Sequence, residues 1–214
     1  MTTSSKVAVI GLGNIGQAVA GNLAKSNRSF IAADRNVEKA KELSEKWNAE
    51  ASDIPNAVKN SDIIVLAIPF GTIGGFIKEY SADLEGKIIV DPSNPIAPAE
   101  NGGFKKIIGE KESAGEINAT FLPAHAKLVK ALGTLSAGSL ANVAYQSPEK
   151  SVLFYATDDT GIDSEVEKLI HDSGFDALRI GGLDQSIRIE VFGDLHEFGA
   201  LGKTVTLAEA KQKI

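Results

Sequence analysis

Three glycines that directly follow a short apolar run constrain this chain more than any other feature. Residues 6–10, KVAVI, are typical of a buried β-strand, and the segment GLGNIG follows with Gly11, Gly13 and Gly16. Gly11 permits a sharp turn, Gly13 has no side chain that would keep a ligand away from the backbone, and Gly16 allows the following helix to pack closely on the strand. The pattern therefore predicts a strand, a tight turn and a helix over 14–26.

The same turn predicts a binding site for the pyrophosphate of a dinucleotide. The backbone N–H groups of Asn14 and Ile15 would point at the phosphates, and the dipole of the helix would assist them. Leu12 and Gly13 complete the loop. A second strand is predicted over 29–34, and its last residue, Asp34, stands where the ribose of the adenosine would lie.

Asp34, Arg35 and Lys39 give conflicting indications about which dinucleotide binds. A carboxylate accepts hydrogen bonds from both ribose hydroxyls, which favours NAD, whereas Arg35 and Lys39 could hold the 2′-phosphate of NADP. Lys39 could equally lie on a solvated helix face. Because Asp34 would repel a 2′-phosphate, we expect NADH to be accepted at least as well as NADPH.

Strands and helices alternate along the whole chain. The first half adds a helix over 36–47 and strands over 62–69 and 87–95; the second half carries predicted strands over 126–132, 151–157 and 176–180 and helices over 135–145, 161–174 and 184–201. This alternation predicts an α/β fold with a Rossmann-like, doubly wound, mostly parallel sheet. We expect residues 1–125 to form the dinucleotide-binding domain and residues 126–214 to form a smaller α/β extension that completes the acceptor pocket.

Two loops should leave the carboxyl ends of later strands, at 67–74 and 91–96. Ligands of doubly wound sheets bind at these ends, although the loops could also be ordinary turns. Prolines stiffen both loops, and a serine and an asparagine offer polar groups to a nicotinamide. The predicted nicotinamide site comprises Ile68, Pro69, Phe70, Ser93, Asn94 and Pro95.

Composition excludes several classes of protein. The 214 residues contain no cysteine, which removes disulfides, thiolate catalysis and thiolate metal sites, and the net charge of −6 argues against a nucleic-acid interface. No apolar run is long enough to span a membrane, and the start MTTSSK lacks the apolar core of a signal peptide, so we expect a cytoplasmic protein.

His196 has Asp194 and Glu197 as neighbours, but adjacent residues of a helix point in different directions, so no metal site is expected.

Five segments occur in the order typical of one family: VAVIGLGNIGQAVA, SDIIVLAIPF, IIVDPSNPI, LVKALGTLSA and GGLDQSIRIE. The chain resembles the coenzyme F420-dependent NADP oxidoreductase family and is also similar to the cytoplasmic domains of the STEAP metalloreductases. The resemblance implies hydride transfer between a nicotinamide dinucleotide and a flavin-like or deazaflavin (F420) acceptor. Such a ring accepts hydride itself, so the protein need not supply a nucleophile or a metal.

The resemblance also locates candidates around the acceptor. It implies that Lys130 and Thr134 lie near the acceptor pocket, and that a His or Asn side chain stands where this chain has Gly133. His125 precedes the same segment and is a candidate proton donor, although a structural histidine is an equal alternative.

Two other functions remain open from the sequence. Short Rossmann reductases of small imine, keto or hydroxy acid substrates share the glycine pattern but usually add a long helical domain. A non-catalytic dinucleotide-sensing module is the third possibility.

The predicted helix over 184–201 is apolar on more than one face, which predicts a homodimer. Its apolar residues include Ile187, Ile189, Val191, Phe192, Leu195, Phe198 and Leu201.

Overall fold

Six parallel strands form the central sheet in the computed structural model, which describes residues 5–214. Residues 1–4, on which the expectation about a signal peptide partly depends, lie outside the described residues. The strands of the protein are β1 (Val7–Ile10), β2 (Phe30–Ala33), β3 (Glu50–Ser52), β4 (Ile63–Leu66), β5 (Ile88–Asp91), β6 (Ile96–Pro98), β7 (Phe104–Lys106), β8 (Lys127–Lys130), β9 (Val152–Tyr155) and β10 (Asp176–Arg179). The central sheet has the order β3-β2-β1-β4-β5-β8 with every pair parallel.

Helices cover both faces of this sheet. They are α1 (Asn14–Lys25), α2 (Val37–Trp47), α3 (Ile54–Lys59), α4 (Phe70–Glu79), α5 (Ser81–Leu84), α6 (Ala114–Ala119), α7 (Ala137–Asn142), α8 (Asp163–Asp172), α9 (Ser186–Ile189) and α10 (Leu207–Ala210). Alternate residues of β1 enter different cores: Val7 and Val9 pack in one cluster, and Ala8 and Ile10 in the other. Burial on both faces explains why the strands are continuous apolar runs. The predicted Rossmann-like fold is confirmed.

The C-terminal part adds a second, smaller layer. Strands β9 and β10 pair in parallel, and a backbone bridge between Lys130 and Ala156 joins this pair to the edge of the central sheet. Strands β6 and β7 form an antiparallel hairpin. Because β8 begins after residue 125 and yet completes the central sheet, the two predicted units share one sheet; the division between them stays a prediction.

Two sequence-based assignments are wrong. The predicted loop over 67–74 becomes helical from Phe70, because Pro69 acts as the N-cap of α4. The predicted helix over 184–201 forms only as a short 3-10 turn and α9, which ends at Ile189.

Tertiary contacts end α9 early. Glu190 adopts an extended backbone, and its carboxylate accepts hydrogen bonds from the N–H groups of Ala114 and Gly115 at 3.0 Å each. Phe192 then takes a left-handed backbone with φ of 72°, which no helix tolerates. Ile189 and Leu195 pack into the protein's own third core cluster, so the argument for a homodimer from this helix is lost and the homodimer stays a prediction.

No helix among the described residues is long and apolar enough to cross a membrane.

Two glycines of α1 should respond oppositely to alanine. A Cβ at Gly16 would lie 1.8 Å from the carbonyl oxygen of Gly11, whereas a Cβ at Gly21 would meet nothing closer than Trp47 at 3.8 Å. We expect Gly16→Ala to lower the free energy of unfolding by about 1–3 kcal/mol and Gly21→Ala to raise it by about 0.5–1 kcal/mol. Urea denaturation of both variants measures this, and equal effects would contradict the packing described.

Candidate functional site

A cavity of about 760 Å³ opens at the carboxyl ends of the central strands. It lies between the glycine loop, the start of α4, the loop after β5, the β6–β7 hairpin and the segment 190–199. Of the residues predicted to bind the dinucleotide, the structure brings these to the cavity: Gly13, Asn14, Ile15, Ile68, Pro69, Phe70, Ser93 and Asn94. Both loops that follow the sheet's carboxyl ends thus meet the glycine loop at one place.

The glycine loop has the shape that its residue types predict. Gly11 has a φ of 89°, and a Cβ there would lie 2.5 Å from the carbonyl oxygen of Ala67. A Cβ at Gly13 would meet nothing within 4 Å, so the space beside this residue is open. Helix α1 begins at Asn14, and no side chain caps its first N–H groups. An uncapped, twelve-residue helix facing open space is suited to an anionic group.

Asp34 connects the glycine loop to the predicted adenosine side. Its Oδ2 accepts the N–H of Leu12 at 2.8 Å and lies 3.6 Å from Nζ of Lys39, and its Oδ1 accepts the N–H of Asn36 at 3.0 Å. Burial alone would raise the pKa of Asp34, but these N–H groups and Lys39 together hold it below its ordinary value. Arg35 is exposed, and neither Asp34, Arg35 nor Lys39 lines the cavity.

A buried ion pair holds the loop after β5. Nζ of Lys130 lies 3.1 Å from Oδ2 of Asp91, and both side chains are almost completely buried. Asp91 also accepts the N–H of Ser93 at 2.7 Å and the amide of Asn118 at 2.9 Å, while Lys130 donates to the carbonyl of Ser93. Lys130 therefore positions the loop and does not line the cavity.

Asn94 ties three segments together at the cavity wall. Its Nδ2 donates to the carbonyl of Gly133 at 3.0 Å, and its Oδ1 accepts the N–H of Val191 at 2.7 Å. Each of these amide atoms can make one further hydrogen bond. Nearby, the buried hydroxyl of Ser93 has no hydrogen-bond partner among residues 5–214.

Packing explains why position 133 is a glycine here, although the resemblance implies a His or Asn side chain. A Cβ at this position would lie 2.4 Å from the carbonyl oxygen of Pro92, so only glycine fits beneath the loop after β5. The carbonyl of Gly133 instead accepts a hydrogen bond from His196, whose Nε2 lies 3.1 Å away. His196 thus reaches the cavity wall from a different part of the chain.

His196 is neutral in this arrangement. Its Nδ1 accepts the N–H of Phe198 at 3.0 Å, which leaves the proton on Nε2 facing Gly133. Burial, with a smaller contribution from the charge of Lys130, lowers the pKa of His196 from its ordinary value of 6.5. The sequence prediction placed His196 on a helix and missed its role in the wall.

Several predicted residues support the cavity or lie away from it. Gly11, Leu12, Gly16 and Pro95 shape the loops without lining the cavity. Thr134 is buried behind the wall, and its carbonyl accepts the N–H of Glu197. His125 is exposed and precedes β8, so it lies at the amino end of the sheet, opposite the cavity.

The sequence prediction also missed the phenylalanines at the cavity. Phe104, Phe192 and Phe198 line it and are more than half exposed. Each stands next to a glycine in the sequence, which is the signal that could have indicated loops rather than a helix. Among the described residues, no group of three or more His, Asp or Glu side chains is arranged to hold a metal ion.

Comparison with known proteins finds a family match for the N-terminal part of the chain. Residues 6–95 match the model of the family described as NADP oxidoreductase, coenzyme F420-dependent. The resemblance predicted from the sequence motifs is confirmed. The chain is 32% identical over 105 residues to an F420-dependent NADP reductase of Methanocaldococcus jannaschii, an alignment that covers 44% of this chain and 47% of that protein. The chain thus matches less than half the length of this curated relative.

Solved structures share the fold over most of the chain. A hypothetical protein from Sinorhizobium meliloti superimposes with a TM-score of 0.81 at 24% identity and covers 96% of both chains. A protein from Arthrobacter sp. FB24, described as a candidate F420-dependent NADP reductase, superimposes with a TM-score of 0.71 at 23% identity, over 85% of this chain and 87% of that one. At these identities the likeness establishes the fold.

The buried pair should be sensitive to loss of one partner. Lys130→Met would leave Asp91 buried without its cation, so we expect a loss of about 3–5 kcal/mol in the free energy of unfolding. Adding Asp91→Asn should recover part of that loss. Lys127→Met is the matched control, because Lys127 pairs with Asp159 near the surface and should cost less than about 1 kcal/mol. Equal costs for the two lysine variants in urea denaturation would contradict a buried pair.

Proposed function

We propose that the protein is an NAD(P)-dependent oxidoreductase that transfers hydride between a nicotinamide dinucleotide and a planar, flavin-like acceptor. One observation carries the proposal: the open cradle at Gly13 and the uncapped start of α1 lead directly into the large cavity at the carboxyl end of the sheet. In doubly wound folds this is the place where dinucleotides bind. The family match over residues 6–95 covers this half of the site.

Some residues of the chain would bind the dinucleotide, and others would position its nicotinamide ring against the acceptor. The N–H groups of Asn14 and Ile15 would hold the pyrophosphate, and Asp34 would accept the ribose hydroxyls. Pro69 and Asn94 would border the nicotinamide. The dinucleotide supplies a hydride, which with one proton from solvent reduces the acceptor. The apolar wall would exclude water and keep the two rings at reacting distance.

A small imine, keto or hydroxy acid substrate is a weaker candidate. A keto or hydroxy acid carries a carboxylate, and no Lys or Arg is among the described residues that line the cavity. After residue 130, the longest helix is α8 with ten residues, so the described chain contains no long helical domain of the kind expected for such reductases. A non-catalytic sensing role would require tight dinucleotide binding without turnover.

Steady-state oxidation of NADPH and NADH with a panel of planar acceptors tests the proposal. We expect turnover with at least one flavin or F420, and we expect Gly13→Ala to weaken dinucleotide binding by about tenfold or more, because its methyl group would occupy the open cradle. Unfolding by urea serves as the control, since the added Cβ meets no protein atom within 4 Å. Binding without turnover would favour the sensing module, and unchanged binding in Gly13→Ala would refute the site.

The choice of dinucleotide should depend on Asp34. We expect NADH to be accepted at least as well as NADPH, since a carboxylate about 4 Å from a 2′-phosphate costs roughly 1 kcal/mol per unit charge even in water. Asp34→Ser should shift the ratio of the kcat/KM values toward NADPH by about tenfold, which is roughly 1.4 kcal/mol.

The ratio of the kcat/KM values for NADPH and NADH is the informative quantity. Asp34→Ser also removes the hydrogen bond from the N–H of Leu12, which would weaken the binding of both dinucleotides. Glu38→Ser is the matched control, as Glu38 lies in the first turn of α2, four residues after Asp34, and pairs with Lys41 instead. A strong preference of the wild type for NADPH with no change in Asp34→Ser would mean that Asp34 serves only the loop.

A further inference from the structure

The acceptor half of the cavity carries no net charge in its wall. Among the described residues that line the cavity, none is a Lys, Arg, Asp or Glu, although charged residues make up 23% of the chain. The one titratable side chain in the wall, His196, is held neutral between Gly133 and Phe198. Away from the start of α1, a wall of this kind offers an anionic ligand no cationic side chain and would desolvate its charge at a cost.

Three phenylalanines give this wall its exposed apolar surface. Phe104 comes from the β6–β7 hairpin, and Phe192 and Phe198 come from the segment 190–199. Their exposed fractions are 58%, 51% and 57%. Large aromatic side chains that remain exposed around one cavity are typical of a surface that binds flat apolar ligands.

The segment 190–199 is held in place rather than free. Glu190 binds the start of α6, Val191 donates to Asn94, and His196 donates to Gly133. In addition, a carboxylate oxygen of Glu197 accepts the N–H of Ser136 at 2.9 Å. Phe192 keeps its left-handed backbone within this network, although its side chain is half exposed. The backbone that carries the two phenylalanines is therefore held in place on both sides.

The cations nearest in sequence to the three phenylalanines have other partners or directions: Arg188, before Phe192, pairs with Asp194, and Lys203, after Phe198, pairs with Glu209. Lys106 follows Phe104 by two residues and so shares its side of the hairpin, but its Nζ donates to the carbonyls of Glu110 and Glu112 at 3.1 and 2.6 Å. Lys105 points to the opposite side of the hairpin.

From this wall we infer that the protein recognises its acceptor by an uncharged aromatic ring system alone and gains nothing from a phosphate or carboxylate tail. The inference rests on the proposed function and specifies the substrate class of the same site. A hydride from the dinucleotide and one proton from solvent reduce the ring, and the dinucleotide leaves oxidised. A charged tail, where a ring carries one, would extend into solvent.

Riboflavin and FMN are the matched probes, since they share a ring and differ by one phosphate. We expect their kcat/KM values with NADPH to agree within about threefold at both low and physiological ionic strength, because no wall cation would add a salt-dependent attraction. A preference for FMN of about tenfold or more that fades with salt would overturn the inference while leaving the proposed oxidoreductase intact.

Equilibrium binding provides a readout that does not depend on turnover. Quenching of flavin fluorescence, with oxidised dinucleotide present, gives the dissociation constants of riboflavin and FMN for the wild type and variants. Phe198→Ala and Phe192→Ala should weaken both ligands by about tenfold, because each removes a stacking surface. Ile107→Ala is the control, since Ile107 is exposed beside the hairpin but does not line the cavity.

Phe198→Lys should make the affinity for flavins depend on the phosphate, because it places a cation in the cavity wall. We expect it to make FMN the tighter ligand by about fivefold or more at low salt, with riboflavin weakened as in Phe198→Ala. Flavin binding that survives both phenylalanine variants within about twofold would overturn the inference. Absence of flavin binding to the wild type would overturn it as well, whereas binding without any NADPH oxidation would count only against the proposed function.

Discussion

A buried ion pair between Asp91 and Lys130 fixes the loop from which the cavity wall is built. It joins the carboxyl ends of β5 and β8, and its members also bind both backbone groups of Ser93 and the side chain of Asn118. Two charges can remain out of water here because neighbouring hydrogen bonds satisfy them. The loop that carries Asn94 is therefore rigid before any ligand arrives.

From this fixed loop the wall is built outward by backbone contacts. Gly133 passes beneath Pro92 at a distance that excludes any side chain, and its carbonyl accepts hydrogen bonds from both Asn94 and His196. These bonds hold the segment 190–199 against the cavity, with Glu190 fixing its start at α6. The result is a rigid apolar wall opposite the glycine loop, as a reaction between two flat rings requires.

Sequence reasoning predicted the elements whose residues act locally. The glycine loop and five of the six strands of the central sheet follow from residue type and spacing, and the structure agrees with each; only β3 (Glu50–Ser52) was not predicted. Eight of the residues predicted to bind the dinucleotide line the cavity, because strand ends of a parallel sheet must meet at one edge.

What sequence reasoning missed depends on contacts between distant segments. The apolar spacing over 184–201 favours a helix, but the bonds of Glu190 to α6 and the backbone of Phe192 override that preference. The place of His196 beside Gly133, 63 residues away in sequence, could not be read from local spacing. Lys130 was expected at the acceptor, yet it binds Asp91 instead.

A crystal structure of the protein with NADP⁺ and riboflavin would show where both rings bind. We expect pyrophosphate oxygens on the N–H groups of Asn14 and Ile15, the nicotinamide beside Pro69 and Asn94, and the flavin ring against Phe192 and Phe198. A dinucleotide bound elsewhere, or a ring outside the cavity with its ribityl tail directed inward, would refute the proposed site.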